Sequence, residues 1–284
     1  MALGGNPVFN GKNFRSAARG NNAAAYGSTM LAGQKVASQQ NLEHMYNQPS
    51  AGPAQMGRMT FDDVIVKTVL CIGVVLLGAS VPAFFLPGLA VPLMVLGMIG
   101  GLVLGLVNAF KREPVPALIL AYAALQGLFI GGLTMFLEAM YPGIALQAVL
   151  GTLTVFGVTL ALFKSGKVRA TPKAMKFFMI AMISYAAFSL INLGLMLFGV
   201  SDDAWGLRGA DIPGTNIPFG VVIGIFAIGL AAFSLIIDFT SISEGVRNGA
   251  PQKYSWTAAF GLTVTLIWLY VEILRLLAIL RGSD

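Results

Sequence analysis

Leu262–Leu280 reads LTVTLIWLYVEILRLLAIL, and the fold turns on how this run is understood. At 1.5 Å of rise per residue it is long enough to cross the roughly 30 Å hydrocarbon core of a bilayer. Yet it carries Glu272 and Arg275 well inside its apolar residues. A charge at that depth costs roughly 2.5–3.5 kcal/mol on insertion scales, so an ionisable residue there is a functional-site candidate. The rest of the chain then reads as the wall that makes Glu272 tolerable.

The composition agrees with that wall. The 284 residues are 56% hydrophobic and only 11% charged, with a mean hydropathy of +0.78, against about 25% charged residues in a soluble protein. This is the composition of a polytopic membrane protein. The single cysteine, Cys71, lies in an apolar run and reads as a small buried hydrophobe, with no internal disulfide available. The first 20 residues hold no apolar core segment and no cleavage motif, so no signal peptide is expected.

Residues 1–59 are rich in Gly, Asn, Ala, Ser and Gln and lack apolar periodicity. Such a segment cannot bury enough surface to offset its ordering entropy, and a disordered cytoplasmic tail is expected there, followed by a transmembrane domain over 60–284. The only histidine, His44, falls in the tail and reads as neither ligand nor base. Thr60-Phe61-Asp62-Asp63 has the pattern of a helix-capping box. Beyond it lie seven apolar runs of roughly 19–25 residues, the length of transmembrane helices: Val64–Leu86, Leu89–Phe110, Ala117–Leu137, Ile144–Phe163, Phe177–Val200, Ile217–Ile237, and one from near Ser255. Pro82 and Pro87-Gly88, Pro114-Val115-Pro116, Tyr141-Pro142-Gly143 and Asn248-Gly249-Ala250-Pro251 punctuate them. Gly97, Gly101 and Gly105, and again Gly127 and Gly131, are spaced to let neighbouring helices approach closely. Asn108, Gln126 and Asn192 are expected to bond between helices. The fifth run also carries Ser184, Tyr185 and Ser189.

Orientation follows from the cations. Of the 18 Lys and Arg, all but Arg208, Arg275 and Arg281 fall on the side of the N-terminal tail. The N-terminus is therefore expected in the cytoplasm and the C-terminus outside. Topology accounts for the net charge of +6, and nucleic acid is not an expected partner.

Two acids could carry chemistry. Asp238 closes the apolar part of the sixth span, and Glu272 lies deep in the seventh. Two carboxylates facing each other in a low dielectric cannot both ionise cheaply, so they would share a proton. With Ser234, Ser241 or backbone oxygens they would bind Ca²⁺ only weakly, because that ion takes six to eight oxygens. Weak binding suits a path that an ion must also leave. A second reading stands beside this one: Glu272 and Arg275 are three apart and could pair with each other on one helix face. The depths of the two acids also differ by roughly 10 Å at 1.5 Å per residue, which a helix extension or tilt would have to absorb. Lys111 and Arg112 are candidates to latch a carboxylate at the cytoplasmic end. Glu138, Asp202, Asp203 and Asp211 make the opposite face acidic. Protease, esterase, nucleotide-binding and retinal signatures are absent, and no enzymatic activity is expected.

The order and spacing of these features resemble the Bax inhibitor-1/YccA family over about residues 60–281. The residues that carry the resemblance are Ser234-Leu-Ile-Ile-Asp238-Phe239 and Leu269-Tyr-Val-Glu272-Ile-Leu-Arg275. The long tail and the Met59-Thr60-Phe61-Asp62-Asp63 entry resemble its actinobacterial branch. The resemblance implies an all-α fold with helix 7 central between two three-helix groups. It also implies a pH-sensitive Ca²⁺ leak of the bacterial inner membrane, with Asp238 and Glu272 as the paired-carboxylate sensor and a latch that matches the Lys111/Arg112 neighbourhood approximately; Arg275 is a further latch candidate from its place beside Glu272. No cofactor is implied beyond transient Ca²⁺. Here the helix 7 acid is Glu where the family's bacterial channel has Asp, and the sixth-to-seventh connection is longer. Other family members act by binding, so the alternative is a non-transporting protein that modulates a membrane protease or a stress or cell-death pathway.

Overall fold

The computed structural model describes residues 57–282 apart from 167, 169, 201–204 and 216. Residues 1–56 of the tail expected over 1–59 therefore lie outside the described residues, as do Lys167, Arg169, Asp202 and Asp203. The described residues begin at Gly57, and those just before the expected boundary at 60 are already held by the bundle. Met59 is buried and its N–H donates to the Ala250 carbonyl at 2.7 Å, while Gln252 N–H donates to the Gly57 carbonyl at 2.8 Å.

Seven helices follow: α1 Phe61–Ser80, α2 Ala90–Phe110, α3 Pro116–Met140, α4 Ile144–Lys164, α5 Pro172–Leu197, α6 Phe219–Arg247 and α7 Ser255–Gly282. All seven are long and apolar enough to cross a membrane. The chain is a multi-pass membrane protein, and no strand occurs among the described residues.

Local sequence explains the boundaries. Thr60 Oγ1 accepts from Asp63 N–H at 3.2 Å, closing the first turn of α1. Asp63 itself binds Lys67 at 2.7 Å, and the same ammonium lies 3.5 Å from the Gln252 carbonyl. α1 runs on into a π turn, Val81–Phe85, where Pro82 removes a backbone donor. α5 starts five residues earlier than expected because Thr171 caps it, accepting from Ala174 N–H at 3.3 Å, with Pro172 in the first position. Before α4, Gly143 adopts φ +84°, a left-handed conformation that favours glycine. Glu138 then accepts from Gly143 and Ala145 N–H at 2.6 and 2.9 Å and caps that helix.

α7 is the core. Fifty-six per cent of its most apolar stretch is buried, against 11% for α2 and for α5. It packs on α1, α3, α4 and α6. Around it, α3 holds α1 and α2, and α6 holds α4 and α5, so the architecture is a central helix between two three-helix groups. The first group is seamed by glycine. A Cβ at Gly127 would collide with the Val75 carbonyl and Gly78, and one at Gly97 with the backbone of Leu125 and Phe129. The small-residue spacing read from the sequence is thus a pair of close helix contacts. Leu269 and Leu274 of α7, with Leu235 and Ile144, are fully enclosed. Leu102, Ile183 and Leu190 on the outer helices are exposed, as a lipid-facing surface requires.

Candidate functional site

Gly261, Thr265, Trp268, Glu272 and Arg275 recur every three or four residues along α7 and so share one face. Two cavities open along this face, and they have no lining residue in common.

The first lies toward the α6–α7 connection. It measures about 430 Å³ and is lined in part by Asn108, Lys111, Asp238, Ser241, Tyr254 and Gly261. Asp238, on α6, is half-buried. Its Oδ2 accepts a hydrogen bond from Thr265 Oγ1 at 2.8 Å, and Ser234 Oγ lies 3.4 Å from the same threonine hydroxyl. Among the described residues no cation lies within ion-pair distance of Asp238. Lys111 reaches the cavity but not the carboxylate. Arg112 is exposed and forms none of the ion pairs. Next to it, Glu113 pairs with Lys253 at 2.7 Å. That hydrogen bond, with the ammonium charge behind it, holds the Glu113 carboxyl below the usual range.

The second cavity lies toward the α5–α6 loop. It measures about 460 Å³ and is lined by residues of α5 and α7 together with Trp205 and Arg208 of the loop. Glu272 is 2% exposed. Arg275 Nη1 donates to both its oxygens, at 3.0 and 3.1 Å. Trp268 Nε1 donates to Oε1 at 3.2 Å, and the Tyr185 hydroxyl donates to the same oxygen. Arg208 Nη1 stands 3.9 Å from Oε2. Every partner is a donor, which is the arrangement an ionised carboxylate accepts. Arg208 Nη2 donates to Ser189 Oγ at 2.9 Å and to Tyr185 Oη at 3.2 Å. Asn192 brings the loop down onto the bundle. Its Nδ2 donates to the Trp205 carbonyl at 3.1 Å, and its Oδ1 accepts from Leu207 N–H at 2.7 Å.

The expected pairing of Asp238 with Glu272 is therefore corrected. Asp238 faces Thr265, and Glu272 lies seven residues further along α7, about 10 Å at 1.5 Å per residue. No tilt or extension of α7 absorbs the depth difference. The α7 side chain opposite Asp238 is a hydroxyl, not a second acid. Arg275 is not a latch on that site; it is the ion partner of Glu272, as its spacing allowed. Nor are the two acids placed to share one cation, since Asp238 lines the first cavity beside Thr265 and Glu272 lines the second. Arg208 was read from the sequence as a loop cation, and the structure buries it to 4% exposure beside Glu272. The signal that could have found this cluster is the i, i+4, i+7 spacing of Tyr185, Ser189 and Asn192, a polar stripe on an otherwise apolar helix.

The family model described as Bax inhibitor 1 like matches residues 6–282. No curated protein matches the chain.

Proposed function

The chain belongs to the Bax inhibitor 1 like family, and from that premise we propose a proton-sensitive leak for cations, Ca²⁺ among them, across the bacterial inner membrane. In this reading the N-terminus is cytoplasmic and the Asp238 cavity opens inward. The protein is a passive path and not a catalyst.

The observation that carries this reading is Asp238 itself: a carboxylate within a membrane span, facing a cavity, with a threonine hydroxyl as its hydrogen-bond donor and no cation beside it. A carboxylate so placed must exchange protons or cations with whatever fills the cavity. Protonated, it is neutral and holds no cation. Deprotonated, it offers two oxygens, joined by Ser241 and by the hydroxyls of Thr265 and Ser234. That donor set falls short of the six to eight oxygens Ca²⁺ prefers, so binding is weak and release is fast. In this reading the barrier between the cavities is the stretch of α7 from Thr265 to Glu272, where Trp268 lines the second cavity. Beyond it, two guanidiniums against one carboxylate oppose a cation, which keeps the leak slow.

The test is Ca²⁺ flux in proteoliposomes across pH. Asp238→Asn abolishes the pH dependence, whereas Glu272→Gln preserves it, because Glu272 belongs to a separate cluster. Wild-type pH dependence in Asp238→Asn would overturn the reading.

A second reading has its own support. Glu272 is neutralised within the protein, and the two cavities share no lining residue. A closed bundle of that kind suits a non-transporting protein that acts on a membrane protease or a stress or cell-death partner. Absence of flux at every pH, with a protease co-purifying, favours it.

A further inference from the structure

Among the described residues, the cluster around Glu272 is unbalanced in charge. Arg208 and Arg275 face one carboxylate, and Arg275 already holds both oxygens of that carboxylate. Arg208 is left with a 3.9 Å approach to Oε2, longer than a hydrogen bond. Of its donors, Nη2 alone reaches acceptors, and the buried Nε has no partner. The rings of Tyr185 and Phe188, 5.5 and 5.6 Å from the guanidinium carbon, offer it only their faces. A buried guanidinium with unmet donors is costly unless something answers it. The cavity of about 460 Å³ beside it has room for a small group.

We propose that this cavity is an oxyanion site that binds a phosphate group through Arg208, with the Ser189 hydroxyl beside it and Glu272–Arg275 as its floor. A guanidinium fork matches phosphate geometry and gives strong charge-assisted hydrogen bonds. One added negative charge brings the two arginines and one glutamate to balance. The walls, Leu193, Met196, Trp205 and Trp268, are apolar or aromatic, so they accept the carbon skeleton attached to such a group as readily as the free anion. The phosphate comes either from an anionic lipid headgroup or from solution. The site stands whether or not the chain conducts cations.

The full chain, purified in an uncharged detergent, is titrated with inorganic phosphate. In parallel it is placed in nanodiscs of phosphatidylglycerol or of phosphatidylcholine. Thermal unfolding midpoints are read in each, with native mass spectrometry for retained lipid. Stabilisation by phosphatidylglycerol alone identifies a headgroup, and stabilisation by phosphate as well identifies the free anion. Either is reduced about tenfold in apparent affinity by Arg208→Gln and is unchanged by Lys253→Gln at the other end of the bundle. Should Arg208→Gln fail to fold, Glu272→Gln decides the matter. Removing the competing carboxylate while keeping an acceptor for Tyr185 makes anion binding tighter. No stabilisation by either source, equal stabilisation of Arg208→Gln, or unchanged or weaker binding in Glu272→Gln overturns the proposal.

Discussion

Glu272 accepts four hydrogen bonds and faces two guanidiniums, while Asp238 accepts one from a threonine and faces open space. Both acids lie in apolar spans, and both have the same cost of transfer from water to meet. Around Glu272 that cost is met inside the protein, by Arg275 along its own helix and by Tyr185 from α5. Around Asp238 it is left to whatever enters the cavity. Depth in the membrane marks an acid as expensive; the neighbours decide whether the expense is settled structurally or through exchange with solvent. An acid in a membrane span is thus a question about its partners before it is a statement about function.

The comparison can be broken most forcefully at Glu272. Glu272→Ala leaves Arg208 and Arg275 without their carboxylate and is expected to destabilise the bundle by about 3–5 kcal/mol, measured by unfolding in detergent or bicelles. Asp238→Asn keeps the hydrogen bond to Thr265 and is expected to change stability by less than about 1 kcal/mol. Equal losses would mean that the two acids are not different in kind. Next comes Thr265. Thr265→Val removes the donor to Asp238 and costs about 0.5–1.5 kcal/mol. Thr265→Asp places a second carboxylate where the geometry calls for it and is expected to split the flux–pH profile into two coupled steps; one unchanged step would show that Asp238 does not set the profile. The smallest effect is at the mouth. Glu113 is fully exposed, and its carboxyl is held below the ordinary value of 4.5 by Lys253. A depressed carboxyl contributes stability above its unfolded value and loses it as pH falls through the folded one. Glu113→Gln is thus expected to leave stability at pH 7 within error and to flatten a slight acid dependence below about pH 4.5.

Much of the bundle is legible in the amino-acid sequence. Hydropathy and the proline–glycine stops gave all seven helices, because a membrane span must satisfy its backbone internally and so declares its length. The glycine spacing gave the α1–α3 and α2–α3 seams for the same kind of reason: only one residue type lets backbones touch. What composition could not supply is the rotation and depth of α6 against α7, which side-chain packing sets. Thr263 and Thr265 were equally eligible to face Asp238, and only Thr265 does. The Glu272–Arg275 pair is legible as a three-residue spacing, whereas the resemblance implies Asp238 as the partner of Glu272. Arg208 was least legible, because a cation in a polar loop looks solvated. It takes Asn192 holding that loop down to bury it.

The position of α7 in the chain also matters for how the protein is made. The helix on which α1, α3, α4 and α6 pack is translated after all of them. For the time a ribosome needs to add some thirty residues, seconds at about 5–20 residues per second, the two groups stand in the membrane around an unfilled groove. The glycine seams let α1, α2 and α3 close on one another without waiting. On the other side, Arg208, Tyr185 and Asp238 must be housed until their partners on α7 arrive. Glu272 and Arg275 in turn enter the bilayer as a pair on one face, ready to meet a cation that is already in place. Synthesis and burial therefore run in opposite directions in this protein, and its vulnerable moment falls just before the seventh helix is threaded between the other six.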